Sequence, residues 1–285
     1  MDALKAQDFA DVNAIGVDEY SHKGHNYITV FLSHPEIEID DKGKRRQASK
    51  GRVLFVVEGK DKAVVTKFLE RFKSKNGDPD KVATATSDMI HGFRSAMREN
   101  FKNSVVTVDK FHVIKHIQDA VDSVRRHEMN SKIKDKYTAL HNTRFLWLKN
   151  PGDLSGKQQA RLEELSQLEF LDTVKAYDYR LRVQEFYDSH KAYDEALLID
   201  YESLALEVCN SEIYEIKKFG ELFTRNGEEI LNYFLTFRTN AILEGFNSKI
   251  SIIKNRARGF KNLKNFINMI YFICGELSFP ISSIM

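Results

Sequence analysis

The sequence predicts an α/β protein, a mixed sheet flanked by helices, with a large all-helical insertion before a late helix. Three observations predict it. Runs of β-branched and aromatic residues recur up to Val108. Helical spacing of apolar residues alternates with those runs from Asp61 onward. From about Phe111 to Tyr233 the strand signal nearly disappears, over a stretch too long for an ordinary loop.

Taken in order, Ala14–Asp18 is a short apolar run ending in an acid. Tyr27–Leu32 and Arg52–Val57 are the next two strand candidates, with a turn at Asp40-Asp41-Lys42-Gly43-Lys44 between them. Val64, Val65, Phe68, Leu69 and Phe72 fall at helical spacing, and Asn76-Gly77-Asp78-Pro79 stops that helix. A strand at Val82–Thr86, a helix at Met89–Asn100, a strand at Val105–Val108 and a long helix after Asp109 follow. Three strands, helix, strand, helix, strand, helix is the element order of a ribonuclease-H-like fold. In the helical stretch, broken at Asn150-Pro151-Gly152, Tyr177, Leu181, Phe186, Tyr193, Leu197, Leu204 and Leu206 are expected on buried faces. The expected organisation is a first part of the core at 14–115, the insertion at 116–235, and a functional helix plus a closing helix at 236–276.

The late helix carries two rows. Leu243, Phe246, Ile250, Ile253 and Ala257 make an apolar stripe. Asn240, Glu244, Asn247, Ser251, Lys254 and Arg258 make a polar row at the same spacing. Glu244 therefore shares a face with amides and cations.

Composition bounds the function. No apolar run reaches the roughly 18 residues that a membrane span needs, and the first residues lack the apolar core of a secretory signal. Cys209 and Cys274 form no CxxC pair, which argues against a zinc ribbon or a disulfide framework. A reducing cytoplasm is the expected location. Net charge is only +2, so distribution matters more than the total. Lys249, Lys254, Arg256, Arg258, Lys261 and Lys264 crowd one region with no acid among them, and Lys42, Lys44, Arg45, Arg46, Lys50 and Arg52 form a second basic run. Of the first group, Lys249, Lys254, Arg256, Arg258 and Lys261 are the candidate DNA-contacting residues.

Asp18, Asp88 and Glu244 stand at two expected strand ends and on the late helix's polar face. Two aspartates and a glutamate form a hard-oxygen set suited to divalent metal. Such sets serve phosphodiester chemistry, where two ions roughly 3.5–4 Å apart hold the attacking and leaving oxygens. Mg²⁺ is the expected ion, with Mn²⁺ able to substitute.

The motifs carry a family resemblance. Gly16-Val17-Asp18-Glu19-Tyr20-Ser21-His22-Lys23-Gly24-His25-Asn26-Tyr27, Ser87-Asp88-Met89, Val108-Asp109-Lys110-Phe111-His112-Val113-Ile114-Lys115, Thr239–Asn247 and Lys254–Phe260 together resemble the DDE domain of the ISL3 insertion-sequence transposases, from about residue 14 to 276. The resemblance implies Mg²⁺-dependent hydrolysis at transposon ends and 3′-hydroxyl transfer to target DNA. It implies Asp18, Asp88 and Glu244 as the acidic triad and metal ligands, with Asp109 and His112 as an auxiliary Asp-x-x-His element. It also implies a homo-oligomer that brings two DNA ends together. Relatives usually carry an N-terminal cysteine-based zinc module and a helix-turn-helix. Neither is found here, so the chain is expected to be the catalytic part alone. At His34 many relatives have an acid instead.

Other readings of the same residues stay open. Asp88 and Asp109 each precede a helix and fit N-caps. His112 and His116 are four apart, but lack a third ligand and read as structural. Glu244 and the basic run fit a solvated surface, and Trp147 fits core packing better than base stacking. At the level of function, a catalytically silent DNA-binding or oligomerising transposase remnant is the alternative. A cellular nuclease of the same fold, such as a junction resolvase, is disfavoured by the long insertion.

Overall fold

In the computed structural model, residues 4–277 are described apart from 5, 24, 25, 40–44, 48, 90, 132 and 240. The expected turn at Asp40–Lys44 lies outside the described residues. The chain divides into two compact units, one of residues 1–109 with 238–285 and one of residues 110–237.

The first unit opens with β1 (Ala14–Lys23) and β2 (Asn26–Ser33), which pair antiparallel. A small hairpin follows, β3 (Ile37–Ile39) with β4 (Arg45–Gln47). Then come β5 (Val53–Glu58), α1 (Lys62–Lys73), β6 (Thr84–Ser87), α2 (His91–Asn100) and β7 (Val105–Val108). Among the described residues the main sheet runs β5-β2-β1-β6-β7, antiparallel between β5, β2 and β1 and parallel between β1, β6 and β7. This is the ribonuclease-H-like arrangement that the element order predicts.

Three expectations need correction. The hairpin β3–β4 is absent from the expected elements, because Ile37-Glu38-Ile39 is too short to establish an alternation and Arg45-Arg46-Gln47 carries no apolar residue. Asp18 lies inside β1 rather than at its end, because pairing with β2 continues past it to Lys23. The late helix stops at Arg256: Arg258 and Gly259 take left-handed backbone (φ 50° and 91°), and Ala257 is exposed instead of completing the stripe.

The helical unit contains α3 (Lys110–Asn130), α4 (Lys134–Leu140), α5 (Arg144–Leu148), α6 (Gly156–Ser166), α7 (Asp172–Ser189), α8 (Glu195–Cys209), α9 (Tyr214–Arg225), α10 (Gly227–Leu231) and α11 (Tyr233–Thr236). A single 3₁₀ turn at Pro151–Asp153 marks the expected break. Tyr177, Phe186, Leu197 and Leu204 are buried as expected. Tyr193 and Leu206 are instead exposed, at 42% and 64%. Trp147 is fully buried and donates from Nε1 to Thr143 Oγ1 (3.0 Å), so it is a core residue.

Back in the first unit, α12 (Ala241–Arg256) and α13 (Leu263–Cys274) cover one face of the sheet. Leu243, Phe246 and Ile250 of α12 and Phe266 and Ile270 of α13 pack on Ile28, Val30, Leu32, Val53 and Val56. Gly51 permits the close approach of α12: a Cβ there would lie 2.3 Å from Ile242 Cδ1 and 2.6 Å from the Ser33 carbonyl oxygen. Edge strand β5 is satisfied in part from α13, where Tyr271 Oη accepts from Val56 N–H (2.9 Å). On the opposite face Ile15, Val17 and Phe31 pack with Phe68 and Phe72 of α1 and Phe93 and Met97 of α2.

Candidate functional site

Strand alternation decides which way the acids face. Asp18 pairs directly with Val30, and Val30 belongs to the face covered by α12 and α13. Paired residues in an antiparallel ladder share a face, so Asp18 points toward α12. Its carboxylate is held from both sides. Asn247 Nδ2 on α12 donates to Oδ2 (2.8 Å), and the Glu19 backbone N–H donates to Oδ1 (2.8 Å).

The polar row of α12 runs along β1. One turn beyond Asn247, the Ser251 hydroxyl lies 3.1 Å from Tyr20 Oη. Lys254 Nζ then donates to the Ser21 carbonyl (3.3 Å) and sits 5.6 Å from the centre of the Tyr20 ring. Glu244 is three residues before Asn247 on the same row. Burial, and then the charge of Asp18, hold its carboxyl above the usual range. The first and last acids are thus neighbours, although most of the chain separates them.

Asp88 enters from β6. Gly16 pairs in parallel with Thr86, so Asp18 and Asp88 stand two residues further along neighbouring strands. Asp88 acts on Glu19: burial first, then the charge of Asp88, push the Glu19 carboxyl up to about 7, with Lys60 opposing and Asp18 reinforcing. Glu19 and Lys60 were not singled out by the sequence reading. The one available signal was the adjacency of Glu19 to Asp18.

Asp109 is fully buried and stands immediately before the first residue of α3, in the N-cap position. Its backbone N–H donates to the Ser87 carbonyl (3.1 Å), which ties the end of β7 to the strand end that presents Asp88. His112 lies in the helical unit, on the first turn of α3. Burial, then Lys115 and His116, lower its ring to about 4, so it is neutral at physiological pH. His34 is buried with Nε2 2.6 Å from Thr86 Oγ1.

The cations spread along one path. Lys249 is exposed, with Nζ 5.3 Å from the Phe246 ring centre, and Lys254 reaches β1 as described. Arg256, Arg258 and Lys261 are exposed at and beyond the end of α12. Lys42 and Lys44 of the second basic run lie outside the described residues.

The candidate acids fit a hard divalent cation in kind: Asp18, Asp88 and Glu244 offer only carboxylate oxygens. Among the described residues, however, no group of three His, Cys, Asp or Glu side chains is drawn together tightly enough to hold an ion. Burial first, and then neighbouring acids, raise the carboxyls of both Glu19 and Glu244. No helix among the described residues is long and apolar enough to cross a membrane.

A transposase family model of the DDE, ISL3 type matches residues 15–270, which takes in the sheet, the helical unit and α12. The chain belongs to the ISL3 transposase family. This ISL3-family chain is 24% identical over 269 residues to the transposase for insertion sequence element IS1001 of Bordetella parapertussis, covering 93% of the chain and 61% of that relative. It is 23% identical over 178 residues to the transposase for insertion sequence element IS1557 of Mycobacterium tuberculosis, covering 54% of the chain and 36% of that relative. The ISL3-family chain thus spans about three-fifths of the length of the Bordetella protein.

Proposed function

We propose that the chain carries the cleavage and strand-transfer chemistry of a DDE transposase. Asp18, Asp88 and Glu244 would be the ligands of Mg²⁺, with Mn²⁺ able to substitute, and DNA the substrate. The observation that carries this reading is the meeting of the first and last acids: Asn247 donates to Asp18, and Glu244 on the same helical row feels the charge of Asp18. When bound, paired divalent ions activate a water or a 3′-hydroxyl and stabilise the leaving 3′-oxygen.

The chain's own residues do the positioning. Asn247 and the Glu19 N–H each donate to one oxygen of Asp18 and so orient its carboxylate. Asp109 braces the strand end that presents Asp88. His112 keeps an auxiliary role, carried by the Asp-x-x-His motif alone. Lys249, Lys254, Arg256, Arg258 and Lys261 would neutralise phosphates beside the acids, giving salt-dependent affinity with little sequence information. Joining two DNA ends to a target calls for more than one copy of the chain.

The test is nicking of supercoiled plasmid in Mn²⁺ by the wild-type chain and by Asp18→Ala, Asp88→Ala and Glu244→Ala, each checked for folding by circular dichroism. Loss of nicking to background in all three is expected. Wild-type nicking by a folded Glu244→Ala protein would overturn the assignment. One observation favours the remnant reading: the carboxylates are not gathered three to an ion among the described residues. Duplex binding by the wild-type chain with no Mn²⁺-dependent nicking would establish that reading instead.

A further inference from the structure

We propose that His34 is a positioning residue of this same site. It bonds Thr86 across β1, and so sets the strand that presents Asp88 against the strand that carries Asp18. The inference rests on the catalytic reading above and adds a residue to it.

The strand register places His34 on the face of the acids. Its backbone N–H donates to the Ala14 carbonyl (2.9 Å), which extends the β1–β2 ladder one pair beyond Ile15 with Ser33. Alternation then gives His34 the face of Val30 and Leu32, which α12 and α13 cover and which Asp18 shares. Thr86 pairs with Gly16 and lies on that face as well, just as its neighbour Ala85 pairs with Ile15 on the other. His34 and Thr86 thus stand on either side of β1, where Ala14 and Gly16 put almost no side chain between them. Across that gap His34 Nε2 comes to 2.6 Å from Thr86 Oγ1.

Packing alone does not call for this contact. On the opposite face the same strands bring Ile15, Ala85 and Val106 together as apolar core. On the face of the acids the matching layer is polar and still buried: His34 is 8% exposed, and Thr86 and its β7 pair Thr107 are fully buried. Burying polar groups costs free energy unless they are bonded, so a bonded polar layer favours one arrangement of its strands. Asp18 and Asp88 stand two residues further along β1 and β6 from the Gly16–Thr86 pair. A slip of β6 against β1 would change the gap between those acids, and the His34–Thr86 bond opposes it. The same end of β2 receives the start of α12. Arg238 Nη1 donates to the Pro35 carbonyl (3.0 Å), six residues before Glu244. Residues 34 and 35 therefore hold the lead-in to the second acid and the lead-in to the third.

The experiment is calorimetry of Mn²⁺ binding to the full chain with a short duplex present. Folding is checked by circular dichroism and duplex affinity by fluorescence anisotropy. Thr86→Val keeps the side-chain shape and removes the hydroxyl, while His34→Ala removes the other partner. Each is expected to weaken Mn²⁺ binding about 10-fold, the low end for residues that support metal ligands, with duplex affinity unchanged. Bonded partners are not additive, so the double variant should be no weaker than either single one. Thr86→Ser keeps the hydroxyl and should bind like wild type. His34→Gln, whose amide both donates and accepts, should recover the affinity lost in His34→Ala. A folded Thr86→Val chain with wild-type Mn²⁺ affinity would overturn the proposal, as would a double variant whose losses add, or a folded His34→Gln chain as weak as His34→Ala. Plasmid nicking separates the two claims: if Glu244→Ala nicks like wild type the catalytic reading fails, while the affinity of Thr86→Val still decides the role of His34. A wild-type chain that binds no Mn²⁺ would overturn both.

Discussion

Asn247 shows how much one neutral side chain decides. Asp18 takes a side-chain hydrogen bond from a residue on another element, and that bond helps fix the rotamer a cation would meet. Asn247→Ala leaves every acid in place, so its effect isolates orientation from charge. We expect Mn²⁺ affinity, measured by calorimetry, to fall roughly 10- to 100-fold. An affinity equal to wild type would show that Asp18 is oriented without the amide. His34 supplies a prediction about pH. Burial, and then the charge of Arg238, lower its ring to about 3, against an ordinary value of 6.5. The folded state therefore binds fewer protons than the unfolded chain between those values. Stability is fully present above about 6.5 and falls as pH drops toward 3, by up to roughly 1.4 kcal/mol per unit. Urea denaturation at pH 7.5, 6 and 5 should show that decline in wild type and a smaller one in His34→Gln. Equal slopes in the two proteins would refute it.

At the scale of elements, the site depends on how α12 is seated. Ile250 is fully buried against the sheet, on the opposite side of the helix from the polar row. Ile250→Ala removes packing and leaves a cavity, at a cost of about 2–5 kcal/mol. Because the same helix carries Glu244 and Asn247, that loss should also weaken Mn²⁺ binding although no donor is touched. A large drop in stability with unchanged metal affinity would uncouple the two. This coupling explains what could be read from sequence. The strands β1, β2, β5, β6 and β7 were legible because their β-branched runs are long enough to show a pattern, whereas β3 and β4 are too short and too charged. Asp18, Asp88 and Glu244 were legible as motifs, and the polar row of α12 as a periodicity. The bond from His34 to Thr86 was not, because it crosses β1 between strands that no local spacing relates. The end of α12 was not legible because apolar spacing continues to Ala257, one residue past the last helical residue and just before the backbone turns left-handed at Arg258.

At the scale of the whole molecule, the chain leaves the sheet after Asp109 and returns at Arg238, so the acids at 18 and 88 wait for a helix encoded after the entire helical unit. Such an excursion is tolerable if the intervening unit folds on its own contacts, and it has a core for that purpose. Trp147, Val183, Leu197, Val208 and Phe223 are fully buried within it. Glu128 of α3 ties the unit together. It accepts from the backbone N–H groups of Asp172 (3.1 Å) and Thr173 (2.8 Å), from Thr173 Oγ1 (2.6 Å) and from Lys136 Nζ (2.6 Å). It thereby caps α7, whose own N-cap residue, Leu171, has no side-chain acceptor. Burial pushes the Glu128 carboxyl up, but donation from Lys136, Thr173 and Asp172 outweighs it and holds it below 4.5. A depressed carboxyl contributes stability that is present above its ordinary pKa and is lost as pH falls through its lower folded value. A fragment of residues 110–237 is accordingly expected to be helical and to melt cooperatively. Glu128→Gln should lower its stability by about 1–3 kcal/mol at neutral pH, with the gap from wild type narrowing as pH falls below 4.5. A fragment that melts without cooperativity would mean that the helical unit borrows its stability from the sheet, and the late return of α12 would then need the two units to fold together.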